Sequence, residues 1–456
     1  MTPPGPLAQT QRDLSHGTIS SRALVEQCLA RIEDKNGQGG KAFVSVDADA
    51  ARAAADSYDQ ARSKGHAVPY FAGIPISIKD NIDMAGQVTA AGSIALSEVP
   101  AATEDALVVA RLKGAGFITI GCTNMTEFAY SGLGLNPHHG TPLNPYHRAT
   151  GHIPGGSSAG AAVSITDGMA LGAIGTDTGG SCRITAAFCG IVGMKPTTHG
   201  LPMDGIFPLS QALDVVGPLG GSVECVAILH AAMAGTAAAD LTPMPLRGLR
   251  FAIPHAPVFD SIEDGVAAAF DRAVAALEEQ GALVERIAMP SLDLIPIINA
   301  HGGFSAVETY ARLAELITAK DELIDPRVTV RILRGQGQGV AALADLHRLR
   351  SMLEAQATRE LAPYTAMLMP TVPMTAPKLA DLLADDDLYG RTNLLALRNP
   401  SIANMIGAPA ISLPIGLAGG LPVGLSVMGK VGQDAQLLRL AATLETLFTP
   451  LARAEI

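Results

Sequence analysis

Two glycine-rich loops, each containing serine, constrain this chain more than any other stretch of its sequence. They read GGSSAG at 155–160 and TDTGGS at 176–181, on either side of an apolar stretch. Glycines this dense let backbone N–H groups approach a ligand closely and tolerate positive φ angles. Serines in such loops are candidate nucleophiles, and the neighbouring amides are candidate donors to an oxyanion. For either loop alone, an ordinary Gly/Ser turn is the alternative.

The bulk composition is that of a globular protein. A chain of 456 residues exceeds the size at which one core usually stops growing, which predicts one large α/β domain with lobes or two closely packed domains. The net charge of −11 and the lack of an 18-residue apolar run disfavour nucleic-acid and membrane partners. Residues 1–13 lack a signal-peptide pattern, and the five cysteines form no CxxC pair, so we expect reduced thiols and a cytoplasmic location.

The order of predicted elements favours an α/β fold. Residues 71–83 and 117–124 have the apolar pattern of strands, and 104–114 that of a helix capped by Thr103. This strand–helix–strand alternation predicts parallel α/β organisation, which the second half of the chain repeats more loosely. The acidic, proline-rich stretch 373–392 is predicted to be an exposed loop.

A histidine-rich loop raises the question of a metal site. The loop spans 131–156 and contains His138, His139, His147 and His152. Zinc sites on a loop usually have ligands closer together in the sequence, or a cysteine among them. We therefore expect a polar loop with solvated histidines, and neither a metal nor another cofactor.

Ser158 and Cys182 are two alternative candidates for the nucleophile. GGSSAG contains G-x-S-x-G centred on Ser158, which formally matches a nucleophile elbow. That motif needs a strand directly before it, and Pro154 argues against one. Cys182 follows the second loop, but a free cysteine is more often a small buried hydrophobe, and no histidine is close in sequence.

A serine–serine–lysine relay is the competing arrangement. A serine hydroxyl is a poor nucleophile until a base takes its proton. A lysine can be that base if desolvation lowers its pKa towards neutrality. Lys79 ends the apolar strand pattern GIPISIK, and a second serine can bridge it to a nucleophile that it does not touch.

The stretch PGGSSAG…GTDTGGSCR…AAFCGIVGMKPT, with GIPISIKDNI upstream, resembles the amidase signature family of serine hydrolases. TNMTEFAYSG, LNPY, DGIFPLSQALDVVGPL, AISLPIG and GLPVGLSVMG are also similar to segments of that family, so the resemblance covers most of the chain. The sequence departs from the family at Ala159, where a glycine is usual, and at Cys182, where an aliphatic residue is usual. Neither change removes a catalytic group.

The resemblance implies roles for the two loops and the lysine. Ser181 matches the nucleophile that forms the acyl-enzyme, Ser157 the bridging serine with a cis peptide bond, and Lys79 the general base. The implied oxyanion donors are the backbones of Thr178, Gly179 and Gly180, with Ser181 itself. The implied structural support comes from Asp177, Arg183 and Ser158.

The substrate pocket is less well defined by the sequence. Ala129 falls where the family offers a backbone group to the substrate. Tyr130 and Phe304 are further candidates, and Arg312, on a predicted helix, could meet a substrate carboxylate. The aromatic content of 4% and the absence of tryptophan argue against a large aromatic-lined pocket.

The resemblance implies one large α/β fold over residues 1–456, with a central mixed twisted sheet covered on both faces by helices. The catalytic core would span about 65–245, and a second lobe about 246–456. The implied function is hydrolysis of a small carboxamide, urea or carbamate by a stand-alone amidase. We expect a homo-oligomer, a homodimer, that binds a small-molecule amide. The alternatives are the glutaminase subunit of a tRNA-dependent amidotransferase, which would require partner subunits, and a catalytically inactive scaffold.

Overall fold

One mixed β-sheet organises the residues that the computed structural model describes, which are 7–255 and 257–453. Its eleven strands are β1 (Phe43–Val46), β2 (Pro75–Lys79), β3 (Ile118–Thr123), β4 (Gly172–Asp177), β5 (Val192–Lys195), β6 (Val215–Gly220), β7 (Arg250–Pro254), β8 (Leu283–Ile287), β9 (Ala366–Pro370), β10 (Ala410–Ala418) and β11 (Leu421–Met428). They lie side by side in the order β1-β3-β2-β4-β6-β5-β10-β11-β9-β7-β8.

Helices flank this sheet. Within the described residues they are α1 (Leu7–Ser15), α2 (Ser21–Glu33), α3 (Gly39–Ala42), α4 (Ala48–Ser63), α5 (Leu107–Gly114), α6 (Ala159–Thr166), α7 (Arg183–Cys189), α8 (Val223–Ala234), α9 (Asp264–Glu279), α10 (Leu294–Asn299), α11 (Gly303–Lys320), α12 (Pro326–Ile332), α13 (Val340–Leu361), α14 (Leu379–Ala384), α15 (Asp386–Arg398), α16 (Ser401–Ile406) and α17 (Asp434–Arg453). None of them is both long and apolar enough to cross a bilayer. The prediction of a large α/β fold with a central mixed sheet is confirmed.

The strand directions place the serine loops and the lysine at one edge of the sheet. Strand β2 lies between β3 and β4 and runs parallel to both, with Ile78 opposite Ile174. Carboxyl ends of neighbouring parallel strands meet at the same edge. Lys79 ends β2 and Asp177 ends β4, so the residues that follow both strands converge there.

Burial explains why β2 reads as an apolar strand that ends in a charge. All five residues of β2 are buried, as expected for a central strand covered on both faces. Ile74, Ile76 and Ile78 belong to a core cluster shared with β3 and with helices α2, α4, α5 and α8. Lys79 continues the strand, and its side chain is fully buried.

Two sequence predictions differ from the structure. Helix α5 begins at Leu107 with Ala106 as its N-cap, and Thr103 is not the cap. The backbone of Ala106 is not helical (φ −52°, ψ 143°), and its N–H donates to the carbonyl of Asp83 at 2.9 Å. The stretch 373–392 is not one exposed loop, since it contains α14 and the start of α15. The Asp385 side chain caps α15 by accepting from the N–H of Leu388 at 2.8 Å.

The division into two lobes stays a prediction. The sheet runs through both of the predicted parts, because β5 pairs antiparallel with β10 from Ala410 opposite Lys195 to Ser412 opposite Gly193. The N-terminal and C-terminal halves of the chain therefore share one hydrogen-bonded ladder.

Candidate active site

Lys79 is the centre of the candidate site. Its side chain is fully buried, and its Nζ lies 2.7 Å from Oγ of Ser157 and 2.9 Å from Oγ1 of Thr176. Burial lowers the pKa of Lys79 to about 8, although nearby acidic groups work in the opposite direction. A lysine with this pKa is neutral in a substantial fraction of molecules near pH 7.5, so its amine has a lone pair to accept a proton.

Ser157 lies on a loop whose backbone is held from several sides. The Gly156–Ser157 peptide bond is cis, which confirms the sequence expectation. The carbonyl of Ser157 accepts from the N–H of Thr126 at 3.1 Å, and the N–H of Gly156 donates to the carbonyl of Gly132 at 2.8 Å. A Cβ at position 156 would lie 2.3 Å from the backbone nitrogen of Gly134, so only glycine fits there. The sequence pattern GGSS thus reflects a close approach of two backbones.

Ser181 is placed by the loop between β4 and α7. It is 3% exposed and follows Gly180, whose φ of +127° favours glycine. Among the described residues, the Ser181 hydroxyl forms no hydrogen bond with Lys79 or Ser157. The structure therefore joins Lys79 and Ser157 directly and brings Ser181 to the same strand edge. Catalytic hydrogen bonds are often longer in a free enzyme than in its substrate complex.

The Asp177 carboxylate braces this loop and corrects one predicted donor. Its Oδ1 accepts from the N–H of Gly180 at 2.9 Å, and its Oδ2 accepts from the N–H of Cys182 at 3.1 Å. Gly180 was expected to offer its N–H to an oxyanion, but that N–H is already used. The N–H groups of Thr178, Gly179 and Ser181 have no hydrogen-bond acceptor in the described part of the chain, so they stay available.

Asp177 and Arg183 form a fully buried ion pair, as the resemblance implied. The guanidinium donates to both carboxylate oxygens, at 3.1 and 2.8 Å. Burial alone would raise the pKa of Asp177, but the charge and hydrogen bonds of Arg183 outweigh it and lower the pKa to about 2. Asn404 of α16 completes the cluster, because it accepts from Arg183 at 2.7 Å and donates to Asp177 at 3.0 Å. No signal in the sequence pointed to Asn404.

Asp214 holds the other side of the loop and was also missed. Its Oδ1 accepts from the Thr178 hydroxyl at 2.5 Å, and its Oδ2 accepts from the N–H groups of Leu209 and Ser210 at 2.8 and 3.0 Å. Burial raises the pKa of Asp214 to about 6, against these hydrogen bonds to its ionised form. Its segment had been recognised only as similar to the family, without a role.

The predicted pocket residues are arranged differently from the expectation. Tyr130 is buried, and the Arg331 guanidinium lies 4.5 Å from the centroid of its ring and donates to its carbonyl. Arg312, in contrast, lies in the exposed part of α11, whereas the next residue is buried. Phe304 is fully buried and packs against His347. The cation beside Tyr130 is therefore Arg331, which the sequence reasoning missed.

The rival nucleophiles have unfavourable surroundings. The Ser158 hydroxyl faces the carbonyl of Thr176 at 3.4 Å, and no strand directly precedes it. Burial raises the pKa of the Cys182 thiol, so the thiolate is disfavoured. In residues 7–255 and 257–453, no group of three or more histidine, cysteine or acidic side chains could hold a metal ion.

The chain belongs to the amidase family, the hydrolases that act on the C–N bonds of amides. The Amidase family model matches residues 23–438. A 2-amino-5-chloromuconic acid deaminase of Comamonas testosteroni is 36% identical over 451 residues, which are 97% of this chain and 96% of the relative. A glutamyl-tRNA(Gln) amidotransferase subunit of Symbiobacterium thermophilum is 33% identical, over 95% of each chain.

Solved structures agree with this assignment. A crystal structure of an amidase superposes with a TM-score of 0.87 at 28% identity, covering 97% of this chain and 100% of the other. The corresponding glutamyl-tRNA(Gln) amidotransferase subunit of Thermotoga maritima superposes with a TM-score of 0.71 at 29% identity, covering 93% and 91% of the two chains.

Replacing Arg183 by methionine tests the brace. The variant leaves the Asp177 carboxylate buried without its cation, which typically costs about 3–5 kcal/mol of unfolding free energy. We expect a loss of that size in urea unfolding at pH 7. The control is Arg250→Met, which removes the Arg250–Glu285 pair, 2.7 Å apart and about 40% exposed on each side. That exposed pair should contribute little. Equal losses in both variants would contradict the role of Arg183.

Proposed function

We propose that this protein hydrolyses an amide through an acyl-enzyme on Ser181, with Ser157 as the proton bridge and Lys79 as the general base. The observation that carries the proposal is the buried Lys79 amine, 2.7 Å from the Ser157 hydroxyl, with a pKa lowered to about 8. Neutral Lys79 accepts the Ser157 proton while Ser157 accepts that of Ser181. Ser181 Oγ then bonds to the amide carbon.

The charge that develops on the substrate oxygen needs donors, and the loop after β4 supplies them. The available N–H groups of Gly179 and Ser181 are held in place by the bonds of Asp177 to their neighbours. Preorganised donors of this kind each contribute roughly 3 kcal/mol to transition-state stabilisation. The proton then returns through Ser157 to the leaving nitrogen, the C–N bond breaks, and water hydrolyses the ester on Ser181.

The surroundings of Tyr130 support an anionic substrate. Arg331 is partly buried, and no ion pair in the described residues includes it. Its surroundings also contain Arg334, whose charge contributes, together with burial, to lowering the pKa of Arg331. An arginine that lacks a carboxylate partner is well suited to bind one from a ligand. We propose that the substrate is a small acid with an amide or related C–N bond, in line with the named acid of the Comamonas relative.

A glutaminase subunit is the second candidate, because several glutamyl-tRNA(Gln) amidotransferase subunits are 31–34% identical to this chain. It predicts hydrolysis of free glutamine and co-purification of partner subunits from the native host. A stand-alone enzyme instead acts on other acid amides without partners. A homodimer stays a prediction that light scattering can check. An inactive scaffold would not be labelled by a fluorophosphonate at Ser181.

Substitution of the relay tests the mechanism. We expect Ser181→Ala and Lys79→Ala each to lower kcat by at least 10³-fold, because each removes a group that forms or breaks a bond. A fluorophosphonate should label the wild-type protein at Ser181, and mass spectrometry locates the adduct. Ser158→Ala and Cys182→Ala are the controls and should keep more than a tenth of the activity. Full activity of either relay variant would refute the assignment.

The pH dependence of kcat/KM reports on the base. Lys79 must be neutral to accept a proton, and burial lowers its pKa to about 8. Activity should therefore rise about tenfold per pH unit below pH 8 and level off above it. Substrate carboxylates stay ionised over this range. A profile that is flat from pH 6 to 8.5, with the protein folded throughout, would contradict Lys79 as the base.

Replacing Arg331 by methionine tests the substrate class. Mono-amides of dicarboxylic acids with three to six carbons serve as anionic probes, and unbranched fatty amides of the same length as neutral ones. We expect a rise of roughly tenfold or more in KM for the best anionic amide and little change for the neutral one, since a charge-assisted bond is lost. The matched control is Arg312→Met on the exposed part of α11. Parallel changes for both probes would reject the assignment.

A further inference from the structure

Glu127 is a buried carboxylate that the catalytic relay does not use. It lies in the segment 126–130, between Thr126, which binds the carbonyl of Ser157, and Tyr130, which contacts Arg331. Glu127 is fully buried. Its Oε2 accepts from the N–H of Asp325 at 2.7 Å. Burial raises the pKa of Glu127. A carboxyl group this far from water is costly unless it is hydrogen-bonded, so its partners show which part of the structure it holds in place.

Asp325 is the residue at which α12 begins. Its side chain accepts from the N–H of Arg327 and so caps the helix, while its own N–H points to Glu127. Helix α12 has only seven residues, a length at which packing and end contacts, more than propensity, decide its position. The bond from Glu127 therefore anchors the first turn of α12.

The last turn of α12 returns to the same segment. Arg331 donates to the carbonyl of Tyr130 and lies over its ring, and the Tyr130 hydroxyl donates to the carbonyl of Arg331 at 3.4 Å. Helix α12 is thus tied at both ends to residues 127–130, which run alongside the Ser157 loop. The position of the Arg331 guanidinium relative to the catalytic serines depends on both ties.

The second oxygen of Glu127 explains how the carboxylate itself is held. Its Oε1 lies 3.2 Å from Nε2 of His138. Both atoms are buried, and neither forms a hydrogen bond of good geometry in the described residues. Against the larger effect of burial, the side chain of Ser93 and His138 both lower the pKa of Glu127. A proton shared between Oε1 and Nε2 would satisfy both, and the histidine would then hold the carboxylate with Oε2 pointing at α12.

We infer that Glu127 is a positioning residue for substrate recognition. Through the N–H of Asp325 it sets the place of α12, and α12 carries Arg331, which receives the substrate carboxylate. The inference rests on the proposed role of Arg331 in binding an anionic amide. The affinity for the anionic substrate then depends on the hydrogen bond between Glu127 and Asp325, which lies at the opposite end of α12 from Arg331.

Two substitutions at Asp325 separate this bond from the cap. Asp325→Ala and Asp325→Pro both remove the capping carboxylate, but only proline removes the N–H that Glu127 accepts. Asp325 has φ −57° and ψ 120°, which proline adopts, and Ile324 is extended at φ −112° and ψ 141°, as a residue before proline should be. The proline variant therefore fits the backbone, but it replaces the N–H by a ring carbon that pushes against Oε2 of Glu127, so it removes the hydrogen bond and displaces its acceptor.

The measurement is the ratio of kcat/KM for the best anionic amide to that for the neutral amide of equal length. We expect Asp325→Ala to keep this ratio within about twofold of its value in the parent enzyme. Asp325→Pro should lower it roughly tenfold through KM for the anionic amide, with kcat nearly unchanged. In an Arg331→Met background the two variants should behave alike, because the receiving group is gone.

A second pair covers the case in which Asp325→Pro does not fold. Glu127→Gln keeps an oxygen for the N–H of Asp325 and an amide for His138, so it should retain most of the selectivity. Glu127→Met has neither and should lose it. Glu322→Gln, an exposed carboxylate just before α12, is the matched control and should change nothing.

The outcomes distinguish the inference from the proposed function. If proline and alanine at position 325 give equal selectivity, or if proline lowers activity on both amides equally, Glu127 is not a positioning residue. If Arg331→Met leaves selectivity unchanged, the proposed substrate class fails instead. Crystal structures of the two Asp325 variants then test the role of Glu127. If Glu127 positions α12, the Arg331 guanidinium leaves the Tyr130 ring in the proline variant and stays on it in the alanine variant.

Discussion

The burial of one amine is the constraint on which the rest of the site depends. An ammonium group without water is unfavourable unless oxygen atoms surround it, and the neutral amine is the less costly form. Lys79 has two hydroxyl partners and no carboxylate within hydrogen-bonding distance in the described residues. The neighbouring strand supplies one hydroxyl and the Gly156–Ser157 turn the other. A carboxylate in either place would have kept the lysine charged and unable to accept a proton.

The buried carboxylate of Asp177, on the strand next to that of Lys79, keeps its charge. Asp177 ends β4 and is as deeply buried as Lys79, but it stays ionised because Arg183 and Asn404 surround it. Its oxygens accept from two backbone N–H groups of the loop, those of Gly180 and Cys182, and leave those of Thr178, Gly179 and Ser181 free. The same edge of the sheet thus contains an amine whose pKa is lowered to about 8 and a carboxylate that stays ionised, and the hydrogen bonds of the carboxylate decide which backbone N–H groups of the loop are free.

Local pattern was sufficient for the parts of the site that lie within short motifs. The two serine loops and the lysine at a strand end were recognised from their local pattern. The Asp177–Arg183 pair, six residues apart, was implied by the family resemblance. Asn404, Asp214 and Arg331 were not, because their partners Asp177, Thr178 and Tyr130 lie 227, 36 and 201 positions away in the chain. The hydrogen bond from the Gly180 N–H to the Asp177 side chain could not be predicted from the sequence either, since it depends on the backbone path of the turn.

The brace between Asp177 and Asn404 has a consequence for protein synthesis. The two residues are 227 positions apart. At a translation rate of roughly 5–20 residues per second, about 11–45 s separate their appearance on the ribosome. During that interval the nascent chain already contains every residue of the relay but not the amide that completes the buried cluster. Completion of the buried cluster that braces the 177–183 loop therefore waits for the C-terminal part of the chain, so unfinished chains should lack the loop conformation of the complete protein.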